Sequence, residues 1–342
     1  MDHDFRGDGI ARRGNLDASV AGRWGDAPDV DAPPAGGGAP RDGGQGGKTK
    51  PAMTDVEHFS PETLDEAAAL LLAAGGQARP LADGTDLIAE VTEGQRTLCL
   101  ILDLRRIPEL NRIDYDERSG LRIGAAVPFK TLLEFPPVSR LYPMLAEGSV
   151  PMRPSELLDS ATLGGNLSHA VSAAEMAPPL ICLRTSTAIF GPYGWSELGV
   201  EALLAGAGRI VLQPGEFMVD LHFPAPPPRS NGAYLRAVSR QRPDAVAGVG
   251  AFLVLEQDLS TCCGARLTLC GVGPAPMRAL EAERFLAGKV LEDNVLQEAA
   301  DLTARSPLPV AGWAGERFDL VRGLTRRAIA EALGRVRAGD QP

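Results

Sequence analysis

The chain has 342 residues, 44% apolar and 23% charged, a composition that predicts a folded protein of about two domains. Its 34 Lys and Arg against 44 Asp and Glu give a net charge of −10, the wrong sign for binding the phosphate backbone of nucleic acids. The longest apolar stretch, residues 245–255, is far shorter than the ~20 residues that cross a bilayer, so a membrane span is excluded.

Residues 1–52 differ in composition from the rest of the chain. Gly and Pro dominate residues 32–47 and no apolar period appears, so we expect a disordered extension; translation from Met53 is an open alternative. The first residues lack the apolar core of a secretory signal, and Arg12-Arg13 is followed by polar residues. The cytoplasm is therefore the expected location.

The first ordered elements form a unit of the β-α-β type. Ser60 is the expected N-cap of a helix that starts at Pro61 and ends at Gly75-Gly76. Residues 98–104 form a continuous apolar run that predicts a strand. The apolar face of the helix is expected to comprise Leu64, Ala67, Ala68, Leu71 and Leu72.

Short strands are predicted from residue 112 onward. Residues 112–115 and 120–124 flank a turn and indicate a hairpin, and a helix is expected at residues 129–134. Further strands are expected, between Gly and Pro turns, at residues 187–190, 209–212 and 218–223.

The last third of the chain places strands before helices, which indicates an α+β domain with an antiparallel sheet. A Pro-rich connection, residues 224–232, precedes it. The expected strands cover residues 233–239, 246–255 and 265–272, and the expected helices residues 277–287, 291–304 and 319–336.

Common catalytic and metal-binding signatures are missing from the sequence. The five cysteines form no C-x-x-C pair and the four histidines have no ligand spacing, so no metal, iron-sulfur cluster or disulfide framework is expected. P-loop, G-x-G-x-x-G and G-x-S-x-G motifs are also absent. We therefore predict no catalytic side chain.

Two segments combine glycine with small polar residues: Ala82-Asp83-Gly84-Thr85-Asp86 and Thr162-Leu163-Gly164-Gly165-Asn166. Glycine lets successive backbone amides turn toward one anion, and Thr or Asn adds further donors. Each segment taken alone is more typical of an ordinary turn than of an anion site.

These segments are two of six phrases that occur in the same order in the FAD-binding medium subunits of the molybdenum hydroxylases. The chain resembles the medium subunit of carbon monoxide dehydrogenase and the flavin domain of xanthine dehydrogenase from about Val56 to about Leu333. The phrases that carry the resemblance are residues 82–86, 102–110 (LDLRRIPEL), 121–127 (LRIGAAV), 161–167 (ATLGGNL), 212–217 (LQPGEF) and 234–242 (YLRAVSRQR).

The resemblance implies an α+β protein with a two-subdomain FAD-binding fold of the PCMH and vanillyl-alcohol-oxidase type. An antiparallel-sheet-plus-helices C-terminal domain follows it. The implied boundaries are residues 53–228 for the FAD-binding domain, divided into residues 53–111 and 112–228, and residues 232–337 for the C-terminal domain.

The resemblance also implies a function and partners. Subunits of this family bind FAD and take electrons from iron-sulfur clusters on a small subunit, while a large subunit carries the molybdenum cofactor. They pass the electrons to NAD, a quinone or oxygen. We therefore expect a heterotrimer, with dimerisation of the heterotrimer left open.

The implied cofactor-binding residues follow from the matched phrases. The two glycine segments surround the pyrophosphate, Glu175 faces the sugar chain, Met218 lines the flavin and Arg236 lies near the cofactor. Surface or core roles are open alternatives for the last three. The full set is Ala82, Asp83, Gly84, Thr85, Asp86, Thr162, Leu163, Gly164, Gly165, Asn166, Glu175, Met218 and Arg236.

Two departures from the family pattern leave other functions open. Asp83 stands where the family has glycine, and residues 154–160 are expected to be an insertion near the flavin. A structural subunit without FAD is therefore one alternative. A stand-alone flavin oxidase is another, with His169 as the nearest candidate for a covalent tether to the flavin.

Overall fold

In the residues that it describes, the computed structural model contains three β-sheets with helices packed on them. The fold is α+β, as predicted. The extension at residues 1–52 lies outside the described residues. The residues that the structure describes are 57–81, 100–149, 155–168, 176–204, 210–238, 246–273, 275–306 and 314–339.

The first subdomain has a small parallel sheet with the order β1-β3-β2. Its strands are β1 (Glu57–Phe59), β2 (Ala78–Leu81) and β3 (Leu100–Asp103). The helix α1 (Leu64–Ala74) connects β1 to β2. Two short 3-10 helices follow β3 and lead to the second subdomain at Arg112.

The predicted start of α1 is wrong by three residues. Thr63, not Ser60, is the N-cap, because its side chain accepts a hydrogen bond from the amide of Glu66. Ala67, Ala68 and Leu71 are buried as expected. Leu72 is 47% exposed, so it lies at the edge of the buried face and does not belong to the core.

The second subdomain is built on a five-stranded antiparallel sheet with the order β4-β5-β8-β6-β7. The predicted hairpin is confirmed as β4 (Ile113–Asp116) and β5 (Gly120–Gly124). The remaining strands are β6 (Ser186–Gly191), β7 (Gly194–Gly199) and β8 (Phe217–Phe223).

Short helices pack on one face of this sheet, and three of them begin with proline at one of the first two positions, where the missing amide hydrogen is not needed. The helix predicted at residues 129–134 is confirmed. In the described part of the subdomain the helices are α2 (Phe129–Glu134), α3 (Pro136–Leu141), α4 (Pro143–Gly148), α5 (Ser155–Ser160), α6 (Leu163–Ser168), α7 (Ala177–Cys182) and α8 (Val200–Leu203).

The C-terminal domain has a four-stranded antiparallel sheet with the order β12-β11-β10-β9. Three helices cover it, and α11 lies against β9 and β10. The strands are β9 (Ser230–Val238), β10 (Val246–Leu255), β11 (Cys262–Cys270) and β12 (Met277–Arg278). The helices are α9 (Leu280–Leu286), α10 (Asp293–Arg305) and α11 (Ala314–Gly339).

Two further details of the secondary-structure prediction are wrong. Residues 210–212, the described part of an expected strand, form no strand; Val211 donates its amide hydrogen to Leu203 and its side chain is 51% exposed. The helix expected from Met277 starts at Leu280, because Met277 and Arg278 pair with β11.

Candidate functional site

The sequence-predicted site residues divide into two groups. Ala82, Asp83, Gly84, Thr85, Asp86 and Glu175 lie outside the described residues, as do His169 and Pro154. The rest of the expected insertion, residues 155–160, forms the helix α5. The structure describes Thr162, Leu163, Gly164, Gly165, Asn166, Met218 and Arg236.

The second glycine segment forms the first turn of α6. Thr162 is buried and directly precedes the helix. Its Oγ1 accepts a hydrogen bond from the amide of Gly165 at 3.0 Å, and its carbonyl oxygen accepts one from the amide of Asn166 at 2.9 Å. Thr162 thus acts as the N-cap of α6, because its side chain accepts from an amide that has no partner within the helix. The segment is helical, and the ordinary turn that was the alternative is not formed.

Gly164 is required by a close backbone approach. A Cβ at this position would lie 2.6 Å from the carbonyl oxygen of Ala125, closer than real Cβ contacts. The amide of Gly164 donates to that same oxygen at 3.2 Å, and the amide of Ala125 donates to Val219 at 2.8 Å. These bonds attach the start of α6 to the end of β5 and to β8.

Asn166 has a buried acceptor without a partner. Its Oδ1 is buried and accepts no hydrogen bond from any of the described residues. A buried polar atom left unsatisfied costs about 1–3 kcal/mol, so such atoms usually face a ligand or water. The amides of Gly164, Gly165 and Asn166 already donate within the chain, so Oδ1 is the clearest vacant hydrogen-bonding position in this segment.

Met218 and Arg236 occupy different sheets. Met218 is 5% exposed and packs in the core of the second subdomain with Leu163 and Leu167 of the glycine segment's helix. Arg236 is half-buried on β9 of the C-terminal sheet, opposite Gly248 of β10. The structure therefore brings Met218 next to the second glycine segment, whereas Arg236 belongs to the other domain.

Sequence reasoning missed the residues that hold β9 in place. Glu147 of α4 accepts a hydrogen bond from the amide of Tyr234 at 2.7 Å and forms an ion pair with Arg335 of α11. Arg335 also donates to the carbonyl oxygen of Gly232 at 2.7 Å. These contacts fix the strand just before Arg236. No local sequence pattern could predict them, because Glu147 and Arg335 are 188 residues apart in the sequence.

Two further buried groups lie where the domains meet. Cys182 of α7 is fully buried, its Sγ is 3.2 Å from Oγ1 of Thr268 on β11, and burial raises the pKa of the thiol to about 12. The hydroxyl of Tyr142 donates to the carbonyl oxygen of Pro224 at 3.1 Å, and burial raises its pKa to about 12. Both groups stay neutral and act as structural contacts.

The described residues show neither a metal-binding cluster nor a membrane-spanning helix. Among the described residues, no group of three or more His, Cys, Asp and Glu side chains could hold a metal ion. His222, one of the described histidines, lies 2.7 Å from the carbonyl oxygen of Ser119 through Nε2. Nor does any helix in the described ranges have the length and apolar character needed to span a membrane.

Comparison with protein families decides the identity of the fold and cofactor. The family model described as the FAD binding domain in molybdopterin dehydrogenase matches residues 54–226. The model for the CO dehydrogenase flavoprotein C-terminal domain matches residues 233–332. The chain belongs to the FAD-binding subunits of the molybdopterin dehydrogenase family.

Relatives of this FAD-binding subunit cover most of its length. The carbon monoxide dehydrogenase medium chain of Afipia carboxidovorans is 28% identical and aligns over 82% of this chain and 98% of its own. The xanthine dehydrogenase FAD-binding subunit of Escherichia coli O157:H7 is 26% identical and aligns over 77% of this chain and 91% of its own. A solved structure of carbon monoxide dehydrogenase from Hydrogenophaga pseudoflava matches with a TM-score of 0.76 at 27% identity. The match covers 82% of this chain and 98% of that chain.

FAD is therefore the cofactor of this subunit, and the described residues fit it. A flavin nucleotide carries hydroxyl and N–H groups, which are the donors that Oδ1 of Asn166 lacks. When bound, FAD supplies the redox chemistry, and the protein supplies placement and electrostatics. At the start of α6, Thr162 and Gly164 hold the backbone that carries this unpartnered acceptor.

Proposed function

We propose that this chain is the electron-transfer subunit of a three-component molybdenum hydroxylase. It would receive electrons from iron-sulfur clusters on a small partner subunit, while a large subunit carries the molybdenum cofactor, and release them to NAD, a quinone or oxygen. The similarity to relatives named as a medium chain and as an FAD-binding subunit supports this division of labour. The cytoplasmic location is part of the same proposal.

The observation that carries the proposal is the unsatisfied Oδ1 of Asn166 at the start of α6. It lies in the segment that the resemblance assigns to the cofactor, and Thr162 and Gly164 fix the backbone on either side of Leu163. The proposed contacts at Ala82 to Asp86 and at Glu175 belong to the same cofactor. Met218 would close the buried side of the site and Arg236 would add positive charge from the C-terminal domain.

Acceptor choice can be measured on the full-length subunit loaded with FAD. The flavin is reduced anaerobically with dithionite, and its absorbance is then followed after mixing with NAD, a water-soluble quinone or oxygen. We expect rapid reoxidation by at least one of these acceptors and no reduction by vanillyl alcohol in the absence of partners. Direct reduction by the alcohol would favour the stand-alone oxidase.

Partners are tested by co-expression. The subunit is tagged and purified together with the products of the neighbouring genes, and molybdenum and iron are measured in the purified complex. We expect both metals to elute with the tagged subunit. A subunit that elutes alone from cells expressing all three chains, and binds no FAD, would contradict both the partners and the redox role.

A further inference from the structure

A cleft with a volume of about 250 Å³ is lined by residues of the five-stranded sheet and the segment before it. Its lining includes Gly124 of β5, Val219 of β8 and Trp195 of the edge strand β7. None of its described lining residues belongs to Thr162–Asn166. The second glycine segment therefore does not line this cleft, and nothing in the proposed function uses its charged side chains or Trp195.

Charge in this cleft is not balanced. Arg122 and Asp220 pair with each other at 2.9 Å and cancel. Glu109, Arg112 and Asp114 also line the cleft, and none of these three takes part in an ion pair among the described residues. They leave one net negative charge.

Glu109 dominates the field in the cleft because it is the most buried of the three. Its side chain is half-buried on the second 3-10 helix, whereas Arg112 and Asp114 are exposed. Water and salt screen exposed charges more strongly than buried ones. The uncompensated charge that a bound molecule meets is therefore the carboxylate of Glu109.

Trp195 supplies an aromatic surface next to this charge. Its side chain is 57% exposed, which is uncommon for a tryptophan in a folded domain. Phe190 holds the indole ring edge to face, with 5.2 Å between ring centroids. Indole is the side chain whose face attracts cations most strongly.

We propose that this cleft binds a planar organic cation of the pyridinium class, with its ring against Trp195 and its positive charge near Glu109. The volume suits a single ring with small substituents, because pockets for larger organic ligands begin at about 300 Å³.

Three ligands of similar shape but different charge test whether the cleft prefers a cation. Calorimetric titration of the FAD-loaded full-length protein compares 1-methylnicotinamide, a cation, with neutral nicotinamide and anionic nicotinate. We expect saturable binding of the cation, about fivefold tighter than nicotinamide, with nicotinate weakest. Tighter binding of nicotinate, or no saturable binding of any of the three, would overturn the proposal.

Variants of the lining residues test whether the cation binds in this cleft. Glu109→Gln should weaken 1-methylnicotinamide binding about fivefold and leave nicotinamide binding unchanged, and Trp195→Leu should abolish both. Glu117→Gln is the control, because it removes the same charge from the exposed turn before β5, outside the cleft. Equal affinities in Glu109→Gln and Glu117→Gln, with unchanged circular dichroism, would place the cation elsewhere and contradict the proposal.

Discussion

Glu147 and Arg335 form an ion pair between the FAD-binding domain and the last helix of the C-terminal domain. Each side chain is about one quarter exposed, so the pair is shielded from much of the solvent. Glu147 also accepts from the amide of Tyr234, and Arg335 donates to Gly232. The first half of β9 is thus held from both sides by charged groups.

Replacement of Glu147 by Gln should destabilise the protein by about 1 kcal/mol. The amide oxygen of Gln still accepts from Tyr234, but Arg335 loses one of its two charged partners in a partly buried position and keeps only Glu331. Urea unfolding measures the change. The exposed Glu298 of α10 supplies the control Glu298→Gln, since it has no ion pair among the described residues. Equal stability of the two variants would show that the ion pair contributes nothing.

Gly164→Ala should weaken both the fold and flavin binding. The new Cβ would meet the carbonyl oxygen of Ala125 at 2.6 Å, so the start of α6 must move. Overpacking of this kind costs about 1–3 kcal/mol. We expect a lower melting temperature and at least a tenfold weaker FAD affinity by fluorescence titration. Unchanged affinity would separate this glycine from the cofactor site.

Gly334→Ala should have the opposite effect on stability. Gly334 lies inside α11 with no atom within 4 Å of a Cβ position. Alanine is favoured over glycine in a helix by about 1 kcal/mol, so the melting temperature should rise. This variant is the matched control for Gly164→Ala, because both make the same chemical change in a helix. A decrease in melting temperature would reveal a contact that the structure lacks.

The cysteines should differ sharply in reactivity. Burial raises the pKa of Cys182 to about 12 and that of Cys262 to about 11, whereas Cys263 is exposed. Because the thiolate is the reactive form, iodoacetamide at pH 8 should label Cys263 in the native protein and leave Cys182 unlabelled until unfolding. Peptide mass spectrometry measures both sites. Labelling of Cys182 at the rate of Cys263 would contradict the burial.

Asp103 should contribute stability that depends on pH. The side chain of Arg105 donates to its carboxylate at 2.7 and 2.8 Å and lowers the pKa of Asp103 below its ordinary value of 3.8. The contribution is present above that value and is lost as the pH falls through the folded-state pKa. Asp103→Asn should lower the free energy of unfolding by about 0.5–1 kcal/mol at pH 7. The effect is small because solvent screens the exposed side chain of Arg105. The loss of stability should become progressively smaller below pH ~4.

The control for Asp103→Asn is Asp319→Asn. Asp319 is exposed on α11 and forms no ion pair in the described part of the chain. Urea unfolding of both variants and the wild type from pH 7 to pH 3 gives the comparison. A cost of Asp103→Asn that stays constant over this range would mean that the carboxylate titrates normally.

Much of the fold could be predicted from the sequence, because many helices and strands are marked by the residue types within and beside them. The bounds of β10 and α2 match the expectation, since each is delimited by clear changes in residue type. The edge strand β7 was missed, because most of its residues are exposed and no apolar alternation marks it. The N-cap of α1 was misplaced because Ser60 and Thr63 are both good caps.

The candidate site was predictable only in part. The glycine segment at Thr162 was found by its composition, but the approach of Gly164 to Ala125 depends on tertiary packing. The Glu147–Arg335 pair and the cleft at Trp195 join residues from distant parts of the chain. Such contacts leave no periodic trace in one sequence.

The most direct test is FAD binding by wild type and Asn166→Ala. The purified wild type should hold about one FAD per chain. Because Oδ1 of Asn166 has no partner among the described residues, the variant should be as stable as wild type without FAD yet bind it about tenfold more weakly. The control Asn294→Ala, at an exposed residue in α10, should bind normally. A wild type that takes up no added FAD, or an Asn166→Ala variant with wild-type affinity, would contradict the account.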